Sequence, residues 1–409
     1  MIARITKGYA QGSVIAPPSK SMAHRILICA GLANGKSIVE NISLSQDVSA
    51  TLDCLKACGA KYEISGNSVE IEGIDVDNFS VVSQADCRES GSTLRFFVPI
   101  FMLCDKPVTL TGSKYLFTRP LDVYKKIAEQ QNLQFELTEN RLTVCGKITA
   151  GEYKVRGDIS SQFISGLMFA LPTLKGDSVI KLIPPVESRS YINMTMEALM
   201  LFGVSATWVD DFTIFIKSNQ RYRPCTVVTE GDYSNAAFFA ALGSMGNNVE
   251  INGLKTDSLQ GDKVIFDLLK KLDTQDAVID VSDCPDIAPI LITVAAAKHG
   301  ARFTGTKRLK IKESDRGTAI AQELAKFGAD IKVLENEIVV GNTELHAPSG
   351  ILNGHNDHRI VMSLAVLLTA FSGEIDGCEA VNKSFPDFFK QLSALGIEVD
   401  LYESKNKQG

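Results

Sequence analysis

One pattern of apolar and polar positions recurs along the chain. An apolar stripe at helical spacing closes on a small or turn residue, and two short alternating runs follow around a polar turn. Residues 55–59 lead into runs at 61–64 and 68–72, and residues 127–132 into 134–137 and 141–145. Residues 198–203 lead into 205–209 and 213–217, and residues 324–328 into 330–334 and 337–340. Residues 392–396 lead into 398–402, and a weaker copy starts at 268–272. Apolar spacing of three to four predicts helices with one buried stripe, and alternation predicts strands with one buried face. Gly59, Gly203, Gly328 and Gly396 stand where a helix end calls for a positive φ. The copies recur every 55 to 75 residues or so, long for a solenoid, and six units read as two domains of three.

Four further runs, 163–171, 236–242, 288–297 and 361–370, are apolar nearly all round, which predicts buried helices. Polar segments open directly into apolar helical runs at five places. They are Pro18-Ser19-Lys20-Ser21-Met22-Ala23-His24-Arg25, Ser90-Gly91-Ser92-Thr93-Leu94-Arg95, Ser160-Ser161-Gln162-Phe163, Glu313-Ser314-Asp315-Arg316 and Asn356-Asp357-His358-Arg359. A helix start offers unpaired N–H groups and a positive dipole end, so it suits an anion. Several such starts, most with Arg or Lys, imply a pocket for substrates with more than one negative charge. The fold class is α/β (α+β), with inner helices wrapped by small sheets. Helix starts aimed at one face of each domain would line an interdomain cleft.

At 409 residues the chain is too long for one core, which supports two domains. A net charge of −6 argues against a nucleic-acid coat, so the basic motifs read as a pocket. Nine cysteines are scattered; Cys54 and Cys58 lie four apart, but no second Cys or His pair is near, which favours burial over zinc. The five histidines make no ligand pattern, and no metal is expected. With no phosphate-binding Walker loop, dinucleotide fingerprint or nucleophile elbow, no cofactor is expected either. The start lacks a signal-peptide layout and no apolar run reaches a membrane span. The expectation is a reduced, cytoplasmic enzyme.

Lys20, Ser21 and Arg25 can flank one helix start and hold phosphate or carboxylate. Gly91 lets backbone approach a ligand, whereas Arg95 reads equally as ligand contact or structural partner. Arg119 precedes Pro120 at a turn, a weak signal alone. Ser160, Ser161 and Gln162 exceed what one helix cap needs. Ser188 and Tyr191 lie in Glu187-Ser188-Arg189-Ser190-Tyr191, where the phenol could stack on a ring or fill core. Asp286, just before a buried helix, could cap it or act as a base. Lys312-Glu313-Ser314-Asp315-Arg316 gathers ionisable groups, and Lys383 follows Arg359 in Asn382-Lys383-Ser384-Phe385-Pro386.

These strings, in this order across essentially the whole chain, resemble the 5-enolpyruvylshikimate-3-phosphate synthase family; Pro18-Ser19-Lys20-Ser21 and Lys312-Glu313-Ser314-Asp315-Arg316 are its most specific signatures. The resemblance implies two domains of three folding units, residues 1–15 plus 231–409 in one and 16–230 in the other, with the active site in the cleft between them. It implies transfer of the enolpyruvyl group of phosphoenolpyruvate to the 5-hydroxyl of shikimate-3-phosphate, releasing phosphate through a tetrahedral intermediate, by a monomer without metal or cofactor. Carried over by motif, Lys20, Ser21, Arg25, Ser160, Ser161, Gln162, Ser188, Tyr191, Asp286 and Lys312 would hold shikimate-3-phosphate. Lys20, Gly91, Arg119, Gln162, Arg316, Arg359 and Lys383 would hold phosphoenolpyruvate. Asp286 would take the hydroxyl proton and Glu313 would protonate the methylene carbon, with Lys20 beside the reacting groups.

Two positions depart from the family's commonest pattern: Glu89-Ser90 stands where Asn-Ala is frequent, and Arg308 where Asn or His is usual. Gly91 leaves room beside the site, which implies sensitivity to the inhibitor glyphosate. The rival readings are UDP-N-acetylglucosamine enolpyruvyl transferase, a non-catalytic phosphometabolite-binding relative, and an RNA-end-modifying relative. The first uses a loop cysteine and a Lys-Asn pair, whereas this chain has Lys20-Ser21. The second expects Lys20, Asp286 or Glu313 to be lost, and the third expects a basic surface.

Overall fold

Among the described residues, four of the five four-stranded sheets share one build. A hairpin pairs with a third strand antiparallel to it, and a fourth strand joins the third in parallel. Lys61–Ser65 and Ser68–Glu72 form one such hairpin, Lys36–Glu40 pairs with it, and Thr226–Val228 adds the parallel edge. The same design recurs around Val108–Thr111, Ser178–Ile183 and Ala301–Thr304. In the sheet around Gly373–Asp376 the strand order is the same, but Ile2–Ile5 and Val399–Tyr402, from the two ends of the chain, stand where the others have a hairpin. The structure, a computed structural model, describes residues 1–78 and 81–403.

Alternation sets the registers. In Arg141–Cys145, Leu142 and Val144 are buried and their neighbours face outward, so a slip of one residue would expose both. The hairpin expected at 205–217 has its first strand at Thr207–Asp210, and 331–333 is shorter than expected. The weaker copy at 268–272 is a correction. The helix Ile265–Lys271 leads only to Val278–Asp280, which joins Ala301–Thr304 as a parallel edge. In place of a sixth four-stranded sheet stands a parallel pair, Gln11–Ile15 with Asn248–Asn252. Asp273, Thr274, Gln275 and Asp276 follow that helix, too polar and too short to fold back as a strand.

The chain divides into two compact units, Met1–Pro17 with Gly231–Gly409, and Pro18–Glu230. Each has its own apolar core. In the Pro18–Glu230 unit, Phe96, Phe97, Phe163 and Phe169 are buried on the helices Gly91–Phe101 and Ser161–Ala170. In the other unit, the helices Tyr233–Ser244, Ala288–Ala297 and His358–Phe371 bury nearly every side chain. Each fully buried Leu, Ile or Phe contributes about 1.5–3 kcal/mol, so these all-apolar helices anchor the units.

Capping fixes where the helices begin. Ser19, Ser45, Ser90, Ser113 and Ser160 each accept a hydrogen bond from a first-turn amide in the Pro18–Glu230 unit. In the other unit Asp232, Asp315 and Asp357 do the same. Such caps contribute about 1 kcal/mol each. Helix ends use the expected glycines, with φ of 97° at Gly59, 75° at Gly203, 87° at Gly328 and 91° at Gly396, and Asn132 takes the role at 54°. Among the described residues, no helix is long and apolar enough to cross a membrane.

Candidate active site

In the Pro18–Glu230 unit, the first turns of five helices are tied together by polar side chains. Lys20 opens the helix Lys20–Gly31, and its Nζ donates to Asp47 Oδ2 at 2.9 Å, in the first turn of Gln46–Ala57. Arg25, one turn further on, is 2 % exposed. Its Nε donates to Thr195 Oγ1 at 2.8 Å, Nη1 to the Ser21 carbonyl at 2.7 Å and Nη2 to the Tyr191 carbonyl at 3.1 Å. Its guanidinium lies over the Phe96 and Tyr191 rings. Burial lowers its pKa to about 10, still charged at neutral pH. Tyr191 thus packs on Arg25 and, half-buried, against the apolar core of its unit as well.

A buried hydroxyl chain runs from His24 Nδ1 to Thr51 at 2.7 Å, Thr51 to Thr93 at 2.9 Å and Thr93 to Ser90 at 2.8 Å. Burial, then Lys20 and Arg25, push the His24 imidazole well below its usual range, so it is neutral. The chain fixes the Lys20 helix against the turn that presents Gly91. A Cβ at Gly91 would lie 2.4 Å from Arg119 Nη1, so the Arg119 guanidinium rests directly on this glycine. Gln162 donates to Ser92 Oγ at 2.8 Å and accepts from Arg95 Nη1 at 2.6 Å. Arg95 also donates to the Pro120 carbonyl and packs over Phe163, which makes it the structural partner of Gln162. Ser160 is the helix cap and Ser161 is buried beside it. Ser188 holds a left-handed backbone at φ 57° before the helix Arg189–Leu201, and its hydroxyl does not cap that helix.

The other unit gathers the acids. Arg316 opens the helix Arg316–Ala325 with its side chain 2 % exposed, and it meets three carboxylates. Nη1 donates to Asp286 Oδ1 at 2.7 Å, Nη2 to Glu313 Oε2 at 2.6 Å and Nε to Asp357 Oδ2 at 2.9 Å. Lys312 Nζ reaches the same Asp286 oxygen at 3.1 Å. Ile287, not Asp286, holds the cap position of Ala288–Ala297, so the capping alternative for Asp286 falls away. Burial alone would raise the Asp286 carboxyl; Lys312, Arg316 and Arg359 outweigh it and hold the carboxyl well below the usual range. Burial lowers the Lys312 ammonium, opposed by Asp286. Burial also works against the Arg316 charge, but Asp357, Glu313 and Asp286 raise its pKa well above the ordinary value.

Arg359 Nη1 donates to Asn235 Oδ1 at 3.3 Å, and Lys383 Nζ to the Asn356 carbonyl at 2.7 Å. Ser384 Oγ shares the Asn235 oxygen at 3.4 Å. Asp47, Asp357 and Asn235 were not among the expected site residues. Their signal was present: each stands in a polar segment opening into a helix, and Asp232-Tyr233-Ser234-Asn235 precedes the apolar run 236–242. The acids make this cluster close to charge-balanced, unlike the cationic lining that the basic motifs suggested. Cys54 and Cys58 are buried thiols, Cys54 Sγ lying 3.9 Å from Cys87 Sγ. Among the described residues no cluster of three or more His, Cys, Asp or Glu suits a metal ion.

The sequence matches the family model of EPSP synthase (3-phosphoshikimate 1-carboxyvinyltransferase) over residues 5–392. It is 41% identical over 428 residues to the 3-phosphoshikimate 1-carboxyvinyltransferase of Clostridium beijerinckii, covering 97% of this chain and 98% of that one. The enzyme of the same name from Clostridium novyi is 40% identical over 420 residues, covering 95% and 96%. Among solved structures, EPSP synthase from Acinetobacter baumannii superposes with a TM-score of 0.79 at 21% identity, over 98% of this chain and 100% of that one. The enolpyruvyl transferase NikO from Streptomyces tendae gives 0.77 at 14%, over 98% of each. Both share the fold.

Proposed function

Because the chain belongs to the EPSP synthase family and is a 3-phosphoshikimate 1-carboxyvinyltransferase of the shikimate pathway, we propose that both polar clusters supply residues to each of the two substrates. Lys20, Ser21, Arg25, Ser160, Ser161, Gln162, Ser188 and Tyr191 hold shikimate-3-phosphate, with Asp286 and Lys312 at its reacting hydroxyl. Lys20, Gly91, Arg119, Gln162, Arg316, Arg359 and Lys383 hold phosphoenolpyruvate. Helix starts, a buried guanidinium and lysine ammonium groups suit phosphate and carboxylate oxygens.

The observation that carries this reading is the Arg316 fork between Asp286 and Glu313. In the addition step the acceptor's hydroxyl oxygen bonds to C2 of phosphoenolpyruvate, and the methylene carbon gains a proton. Phosphate and a proton on that carbon then leave. Asp286, ionised through its cations, takes the hydroxyl proton. Glu313 must give one. A substrate carboxylate at Arg316 competes with Glu313 for Nη2. Cationic partners on the departing phosphate stabilise the charge that develops there.

The chain is further read as a cytoplasmic monomer. Its nine cysteines are all free thiols, which supports a reducing compartment. The family match favours the shikimate-phosphate acceptor over UDP-N-acetylglucosamine. Mass spectrometry after incubation with phosphoenolpyruvate and each acceptor in turn tests the proposal. Enolpyruvyl transfer to shikimate-3-phosphate alone is the expected result; transfer only to the sugar nucleotide would overturn it.

A further inference from the structure

Two successive residues without glycine's freedom stand in the left-handed region, His355 at φ 49° and Asn356 at 51°. Such backbone is strained and persists only where its surroundings over-determine it. The surroundings here are specific. Glu323 is 3 % exposed, two turns along the helix that Arg316 opens. Its Oε2 accepts from Lys326 Nζ at 2.7 Å and from the Asn353 amide at 2.8 Å. Its Oε1 faces His355 Nε2 at 3.0 Å. The His355 amide donates to Asn353 Oδ1 at 2.7 Å, and the Asp357 amide to the Gly354 carbonyl at 2.9 Å.

What this turn holds is the phosphoenolpyruvate end of the proposed site. The Asn356 carbonyl accepts from Lys383 Nζ, and Asp357 caps the helix that begins His358-Arg359. From these contacts we infer that Glu323 and His355 are positioning residues, which clamp the 353–357 turn so that Lys383 and Arg359 meet the substrate carboxylate and phosphate. The inference rests on the reading of Lys383 and Arg359 as phosphoenolpyruvate ligands. Burial alone would raise the Glu323 carboxyl, but the hydrogen bonds from His355, Lys326 and the Asn353 amide bring it below its usual value. Glu323 is therefore an ionised acceptor, and the His355 ring donates to it. Neither residue touches substrate; both act through the backbone of the turn.

His355→Gly tests this with the strain removed, because glycine adopts the same φ while losing the tether to Glu323. The Michaelis constant for phosphoenolpyruvate is expected to rise about 10-fold or more, since a displaced ligand-binding group costs that much. That for shikimate-3-phosphate should stay unchanged. His355→Gln, which can still reach Glu323, should restore most of the loss, whereas a merely structural role would lower thermal stability and leave both constants in place. Glu323→Gln should follow His355→Gly; should it fail to fold, the His355 pair decides alone. A raised constant in Lys383→Ala with an unchanged one in His355→Gly overturns the positioning role alone. An unchanged constant in both overturns the underlying reading, and the inference with it.

Discussion

Arg316 Nη1 donates to Asp286 Oδ1 over 2.7 Å, and the neighbouring Nη2 of the same guanidinium donates to Glu313. One guanidinium therefore contacts both carboxylates proposed to move protons. Arg316 is itself fixed by Asp357, which is fully buried. Replacing Arg316 by Met would leave Asp357 as an uncompensated buried charge. The variant is expected to lose about 3–5 kcal/mol of stability, read as a lower urea midpoint. Arg316→Lys should keep part of that stability but not the three-way fork, and so lose turnover more than stability.

Arg25 makes a second sharp case. Its guanidinium spans Thr195, Ser21 and Tyr191 in three directions, which a lysine cannot do. Arg25→Lys is expected to raise the Michaelis constant for shikimate-3-phosphate about 10-fold or more and leave that for phosphoenolpyruvate nearly unchanged, as befits loss of a planar multidentate donor. Equal change in both constants would contradict the assignment of Arg25 to the phosphorylated acceptor.

Gly91→Ala places a methyl group 2.4 Å from Arg119 Nη1. Arg119 meets it with the end of a long side chain, so the guanidinium gives way and the fold survives. The wild-type enzyme is expected to be glyphosate-sensitive, and the alanine variant to show an inhibition constant raised more than turnover is lowered. Steady-state inhibition assays check this; equal effects would contradict it.

Asp262 predicts a pH dependence of stability. It is buried against Ser234, and burial followed by the nearby Asp286 raises its carboxyl from 3.8 to about 7. A raised acid pKa means that the folded chain holds this proton more tightly than the unfolded chain. Stability from Asp262 is therefore fully present below about pH 4 and is lost as pH rises through about 7, a change of about 4 kcal/mol. Urea unfolding of the wild type and Asp262→Asn at pH 5 and pH 8 isolates it. The wild type should lose stability relative to the variant on going to pH 8; parallel behaviour would contradict the raised pKa.

Much of the fold could be read from residue patterns, and the reason is local. The runs 134–137 and 141–145 alternate apolar and polar, and they form the strands Gln134–Leu137 and Arg141–Cys145, the second with Leu142 and Val144 buried on one face. The stretch at 268–272 misled because a lone helix end looks the same whether or not a hairpin follows. Of the Arg316 partners, only Glu313 lies within a helical turn; Asp286 and Asp357 are 30 and 41 residues away, a distance that only the fold closes. Lys20 and Asp47 are likewise joined across 27 residues. Residue types at helix starts thus pointed to anion chemistry, while the acids that balance each cation came from elsewhere in the chain.

The most direct measurement is phosphate release from phosphoenolpyruvate, with and without shikimate-3-phosphate, in the wild type and Glu313→Gln. Release in the wild type should require shikimate-3-phosphate, and the glutamine variant should be slower by about 10²–10⁴-fold, the usual contribution of a general acid. Release that ignores shikimate-3-phosphate, or a Glu313→Gln enzyme as fast as the wild type, would contradict the proposed division of proton transfer between Asp286 and Glu313.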